Sequence, residues 1–334
     1  MAKAKMHIAV RGAGVVGLWQ ALTLAKHGHD VTLYERSPTP FTEACSPFAG
    51  AMLAPRCEEE CAEPVIRTLG ERSIALWLET YPGTVVNGTL IVAPARDRVL
   101  IDHFARMTQG AERLDRAALA GLEPDLAERF ANALYYPGEA HLAPDAALAF
   151  MLDAAQAAGA RVKLGEAGMP QDADLVIDCR GLAAKDDLPT LRGVRGERIV
   201  VRSREVHLTH PVRFLHPRFP LYVVPWGDGL YMIGATVIES EETGPVSVRS
   251  TLDLLSAAYA LDPAFAEAEI VRQGAGARPA FSDNRPRIIA AKGYIYVNGL
   301  YRHGFLLAPA LAELVAAFIE TGARHEEVFV ADPA

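Results

Sequence analysis

The sequence predicts an α/β protein, on three observations. The first 35 residues read as strand, glycine turn, helix and strand. The chain then leaves regular βα alternation at about residue 44. Its second half is β-rich and closes on an apolar helix.

The opening unit is the most informative. His7-Ile8-Ala9-Val10 reads as a short buried strand running into Gly12-Ala13-Gly14-Val15-Val16-Gly17, a complete G-x-G-x-x-G. Leu18, Ala21, Leu22 and Ala25 continue at helical spacing, and Lys26-His27-Gly28 supplies a basic last turn and a glycine stop. A second strand, Asp30-Val31-Thr32-Leu33-Tyr34, ends at Glu35. Gly12 permits the tight turn, Gly14 lets backbone approach a pyrophosphate, and Gly17 lets the helix pack close to the sheet. The helix start offers N–H groups and positive dipole to the anion. Glu35 is placed to accept from ribose hydroxyls and would repel a 2′-phosphate, which argues against NADP. The unit predicts a Rossmann-like dinucleotide site and does not separate NAD from FAD.

The break that follows bears on that choice. A nicotinamide dehydrogenase would usually continue in βα units, whereas here a small-residue loop covers 44–55 and a helix is expected over 64–79. Residues 200–206, 221–225 and 229–237 read as strands, the last two joined by a Gly227-Asp228-Gly229 turn. Tyr294-Ile295-Tyr296-Val297 is a strand, and a helix is expected over 305–321.

Composition sets bounds. At 334 residues about two domains are expected. A net charge of −8 argues against a polyanion partner, so no nucleic acid is expected. Cys45, Cys57, Cys61 and Cys179 lack disulfide or zinc spacing and are expected to be plain thiols. The run Cys57-Glu58-Glu59-Glu60 reads as a solvated helix start, and the histidines form no metal pattern. Residues 1–5 lead straight into a strand, and the most apolar stretch, 305–319, falls short of the ~20 residues of a membrane span. A cytoplasmic protein with no signal peptide and no membrane association is expected.

The chain as a whole resembles FAD-dependent amine oxidases of the D-amino-acid oxidase superfamily, most closely the glycine oxidase group of thiamine biosynthesis. The resemblance is carried by the N-terminal motif with Glu35, Ala49-Gly50 and Met52-Leu53-Ala54-Pro55, and Leu122-Glu123-Pro124. Further on it rests on Leu191-Arg192-Gly193-Val194-Arg195-Gly196-Glu197, Tyr222-Val223-Val224-Pro225, Gly234-Ala235-Thr236, Ala277-Arg278-Pro279 and the stretch 299–309. It implies a Rossmann-like FAD-binding domain from 1–75, 140–182 and 276–334. A discontinuous substrate domain on an antiparallel sheet is implied for 76–139 and 183–275. It also implies that the usual small sheet between 160 and 174 is trimmed.

The resemblance also implies site roles. Arg278 would take a substrate carboxylate through two parallel hydrogen bonds, Tyr222 would donate to the same group, and Arg302 would contact substrate. FAD would be held by Gly12, Ala13, Gly14, Val15, Val16, Gly17, Glu35 and Arg36, by Ser46, Ala49, Gly50 and Met52, and by Cys179 and Gly181. The last helix would add Arg302, His303, Gly304, Phe305, Leu306 and Leu307, its N–H groups facing the flavin N1–C2=O edge. His141 matches a position that looks structural. Phe48 and Trp226 are bulky where the pocket is expected. No Cys or His lies in 281–286, where the covalent linkage of sarcosine-oxidase relatives would need one, so FAD is expected to be non-covalent. The implied reaction is oxidative deamination of glycine, sarcosine or small D-amino acids through an imine, with O2 as acceptor giving H2O2. The alternative is a D-amino-acid or imino-acid dehydrogenase using another acceptor. A small amino acid and O2 are the expected partners, and homo-oligomerisation is left open.

Overall fold

His7–Arg11 lies inside a seven-stranded sheet. It pairs in parallel with Asp30–Glu35 on one side and Leu175–Asp178 on the other. The computed structural model describes residues 5–167, 172–216 and 220–330. Beyond Leu175–Asp178 the sheet continues through Tyr294–Asn298, Arg287–Ala291 and Phe329–Val330, and beyond Asp30–Glu35 it ends at Arg161–Leu164. The segment 160–174 thus contributes that edge strand, with 168–171 outside the described residues. The inner strands are apolar runs, as a sheet covered on its faces requires.

One core joins this sheet to the helices Val15–Lys26, Pro64–Thr80, Pro144–Ala157 and Gly304–Thr321. The first helix stops where Gly28, at φ +87°, turns the chain, as its basic-then-glycine ending predicts. The last helix is the apolar stretch of the sequence. Its buried residues pack against the helices Val15–Lys26 and Pro64–Thr80, with Pro309 inside it.

The second sheet has nine strands, with Arg192–Arg202 paired to Leu230–Gly234 on one side and to Glu269–Ala280 on the other. The sequence reading places the start of that first strand near 200. The structure starts it at Arg192, because Gly193 and Gly196 interrupt the apolar pattern that marks a strand. The boundary expected at 276 likewise falls inside Glu269–Ala280, which stays in this sheet to its end.

Side-chain parity gives the second sheet two unlike faces. Ile199, Val201, Ile233, Val223, Val212 and Leu90 form an apolar core beneath the helices Arg116–Leu122, Pro124–Arg129 and Val248–Leu261. The opposite face carries a row set by strand register: Gly274, Arg198, Gly234, Tyr222, Arg213 and Ile91 stand side by side across neighbouring strands. Gly196 pairs with Gly276 and Val194 with Arg278 one step along. Arginine, tyrosine and glycine replace core residues here, so this face serves a site.

Candidate active site

The glycine motif forms a closed turn. Gly12 has φ +93°, and a Cβ there would lie 2.8 Å from the Cys179 carbonyl oxygen. A Cβ on Gly17 would fall 1.8 Å from the Gly12 carbonyl oxygen, so the helix packs as close as backbone allows. The helix has no side-chain cap of its own. Ser46 Oγ instead accepts the Val15 N–H at 3.1 Å, tying the 44–55 loop to the helix start. Glu35 Oε2 accepts the Ala13 N–H at 2.9 Å and Oε1 the Ser37 N–H at 3.1 Å, which fixes its carboxylate beside the turn.

These groups border a cavity of about 1100 Å³ that runs from Glu35 and Arg36 past Gly12 and Gly14 to Phe48, Gly276 and Tyr301. Of the expected cofactor residues, Gly12, Gly14, Val15, Val16, Glu35, Arg36, Ser46, Cys179, Gly181 and Gly304 line it. Ala13 and Gly17 shape the turn from behind. Gly50 abuts the Met232 side chain, Met52 pairs with His141 in a small sheet, and Ala49 ends a short 3-10 turn. Of the last-helix residues expected at the cofactor, Leu307 needs correction. Phe305 stacks on Trp77 at 6.0 Å, Leu306 meets Gly70, and Leu307 is buried with its N–H donated to His303. Only the first-turn N–H groups of Gly304, Phe305 and Leu306 remain for a ligand.

The three expected substrate residues, Arg278, Tyr222 and Arg302, do not themselves line this cavity, although Ala277, Pro279 and Tyr301 beside them do. The Arg278 guanidinium occupies the space over Gly196, where a Cβ would fall 1.9 Å from it. It donates to the Thr236 carbonyl at 3.1 Å, and no carboxylate among the described residues pairs with it. Burial, and then the like charge of Arg302, lower its pKa to about 10, so it remains a cation. Arg302 Nη2 donates to Tyr222 Oη at 2.8 Å and sits 3.2 Å from Glu58 Oε1. Tyr222 is pushed up to about 12 by burial, against the pull of Arg302, and stays a phenol.

The sequence reading misses Glu58. The Cys57–Glu60 run is not a solvated start: Cys57 and Glu58 are buried, and Glu60 pairs with Arg213. Glu58 Oε2 meets His303 Nε2 at 2.9 Å while Oε1 faces Arg302. Burial alone would raise its pKa, but Arg302 and His303 hold it far below the carboxylate range. Glu58 ends a helix, Pro55–Glu58, whose Arg56 and Cys57 N–H groups both donate to the buried Glu139. Arg213, also missed, lies 5.3 Å from the Tyr222 ring, so Tyr222 sits between two guanidiniums. The clue available in sequence was charge: buried arginines on glycine-rich strands need acids, and 58–60 is a short acidic run nearby. Among the described residues no His, Cys, Asp or Glu cluster could hold a metal, and all four cysteines are free thiols.

A glycine cradle at a helix start, a carboxylate fixed beside it and a long cavity running on to Phe48 and Tyr301 fit a dinucleotide carrying a ring system. A profile of the FAD dependent oxidoreductase family, which includes D-amino-acid oxidases, matches residues 7–318. The chain belongs to this family. It is 51% identical over 313 residues to a Rhizobium etli protein named as the thiamine biosynthesis oxidoreductase ThiO, covering 93% of this chain and 95% of that one. It is 28% identical to the glycine oxidase of Geobacillus kaustophilus, covering 96% and 94% of the two chains. The crystal structure of glycine oxidase from that organism superimposes with a TM-score of 0.82 at 27% identity, over 95% of each chain. The protein is therefore an FAD-dependent oxidoreductase, similar over nearly its whole length to ThiO and to glycine oxidase. In this cavity the Gly12–Gly17 turn and Glu35 would hold the adenine-nucleotide half of FAD, and the ring system would lie at the Phe48–Tyr301 end.

Proposed function

We propose that the protein oxidises glycine and similarly small amines bearing a carboxylate, such as sarcosine and small D-amino acids. The observation that carries this reading is Arg278, a buried guanidinium with no acid of its own beside the Arg302–Tyr222 pair. A substrate carboxylate would supply the missing partner through two parallel hydrogen bonds, fixing orientation along with charge. Arg302 and Tyr222 would complete that anchor, with Glu58 keeping Arg302 in place. Two nearby cations also favour the neutral form of the substrate amine, the form from which hydride can leave. Non-covalently bound FAD supplies the hydride acceptor. This chain's own residues then have to position and to exclude water, which accounts for most of such a rate enhancement. The substrate loses hydride from Cα and a proton from nitrogen to give an imine, and water converts that to the α-keto acid with release of ammonia or amine.

The identity to the Rhizobium etli protein supports a place in supplying the thiazole of thiamine. O2 is the proposed acceptor, giving H2O2. An anaerobic flavin-bleaching screen over glycine, sarcosine, D-alanine and D-proline tests the substrate class, and failure of all four to bleach would sink it. Parallel peroxide and dye-reduction assays separate the oxidase from a dehydrogenase that passes electrons elsewhere.

A further inference from the structure

Several arginines stand on the site face of the second sheet or against it. Glu58 answers Arg302, Glu60 answers Arg213, Glu239 answers Arg192 and Asp145 answers Arg272, whereas Arg278 and Arg198 are enclosed and have no acid paired to them among the described residues. Arg278 has a role in the reading above. Arg198 is only 2% exposed, a cost a fold sustains only where something compensates it. Its Nη2 donates to the Pro47 carbonyl, while its Nε and Nη1 are buried without a partner. Its nearest like charge, Arg272, is paired with Asp145 at 2.6 Å and adds no free acid. Burial, then Arg272, lower the Arg198 pKa to about 10, so it too stays charged.

The position of this charge is specific. The Arg198 guanidinium carbon lies 5.9 Å from the Phe48 ring centre and 5.0 Å from that of Trp226. Phe48 lines the cavity at the end that takes the ring system. It fits because its strand neighbours are glycines: a Cβ on Gly274 would lie 2.4 Å from the Phe48 ring, and one on Gly276 3.1 Å. A full positive charge therefore stands one aromatic ring behind the cavity wall, in a medium where Coulomb forces are weakly screened.

Hydride transfer brings two electrons and one proton, so the reduced cofactor carries one more negative charge than the oxidised one. We infer that Arg198, seated behind the Phe48 ring, supplies a fixed positive charge at the ring-binding end and so raises the electron affinity of bound FAD. Preorganised charge of this kind costs no reorganisation when electrons arrive. The inference rests on FAD occupying this cavity and not on which amine is oxidised.

The test compares holoenzyme carrying Arg198→Met, Arg198→Gln and Arg198→Lys, each checked first for FAD content. The readouts are the flavin midpoint potential against reference dyes and the affinity for sulfite, a small anion that adds to electron-poor flavins. The neutral variants should bind sulfite at least tenfold more weakly, and their couples should fall by about 30 mV or more, the two-electron equivalent of tenfold. The lysine variant, with charge but without the fork that reaches Pro47, should stay within threefold of the parent. Neutral variants that load FAD with unchanged potential and sulfite affinity overturn the inference. So does a folded, FAD-loaded lysine variant that loses tenfold, since hydrogen bonding and not charge would then be what matters. Loss of FAD from every variant would also overturn it, by making Arg198 a structural support of the cavity.

Discussion

Trp77 Nε1 donates to the Phe305 carbonyl oxygen at 2.8 Å. Phe305 lies four residues before Pro309, whose missing N–H would otherwise take that oxygen. The neighbouring Ala310 N–H, displaced by the same interruption, donates to Ser73 Oγ at 3.2 Å. Trp77 and Ser73 are one helical turn apart, so the helix Pro64–Thr80 repairs the break that proline makes in Gly304–Thr321. Replacing Trp77 with Phe should cost about 1–3 kcal/mol for the orphaned carbonyl, besides the lost volume. Adding Pro309→Ala should return part of it by restoring an N–H inside the helix. Urea denaturation of the two single variants and the double variant checks the coupling; strictly additive values would mean that Trp77 acts through packing alone.

Arg278→Ala should raise KM for the amine strongly while leaving FAD content intact. Unpairing a buried carboxylate costs about 2–5 kcal/mol. Arg278→Lys should recover only part, because an ammonium cannot form the two parallel bonds. Steady-state kinetics decides, and an unchanged KM removes Arg278 from the anchor.

Glu58→Gln should destabilise the fold by roughly 3–5 kcal/mol near neutrality, since it leaves Arg302 and His303 without their buried acid. The Glu58 pKa is depressed in the folded state, so its contribution is full above the unfolded carboxyl range and fades as pH falls through and below it. The gap between parent and variant should therefore be flat from pH 6 to 8, roughly, and narrow below about pH 4.5. A gap that widens in acid would contradict the pairing.

Glu139 behaves oppositely. Burial raises its pKa to about 7 even though Arg56, Cys57 and the Cys57 thiol donate to it. The folded state holds its proton longer than the unfolded state does, so stability from this group is present below the unfolded value and is lost as pH rises through about 7. Glu139→Gln removes that dependence. Its stability relative to the parent should improve from about pH 5 to pH 8 by on the order of 3 kcal/mol, read as chemical-denaturation midpoints across pH.

Gly17→Ala should abolish FAD retention, because its Cβ would collide with the Gly12 carbonyl and force the turn open. Flavin absorbance of the purified variant reports this directly. Full FAD occupancy would show that the helix can shift by more than its packing suggests.

The parts legible in sequence were local ones. The Gly12–Gly17 turn, the strand end at Glu35 and the Gly28 stop are fixed by spacing within a few residues, and their local geometry is as expected. Strand Arg192–Arg202 was half hidden, since its first seven residues hold three arginines, a glutamate and two glycines, and only Ile199, Val200 and Val201 form the apolar run that marks a strand. Glu58 was hidden for a different reason. Three successive acids look solvated, and which of them turns inward depends on Arg302, more than two hundred residues away. Leu307 was over-read: a helix start was assigned to a ligand as a block, although its fourth N–H is already committed to the helix. The row from Gly274 to Ile91 needs strand register, which the sequence does not display.

The order of strands in the first sheet has a consequence for synthesis. His7–Arg11 emerges first, its partner Leu175–Asp178 midway, and Tyr294–Asn298, the next strand on that side, close to the end. At ~5–20 residues per second, the cofactor cradle waits roughly 15–60 s on the ribosome for the strand that finishes its floor. The Gly12 turn is held early by Tyr34, Glu35 and Ser46, but its contact with the Cys179 carbonyl waits until that residue is made. The whole floor of the cofactor cradle therefore exists only in a nearly complete chain, and until then the apolar first strand lacks partners on one side.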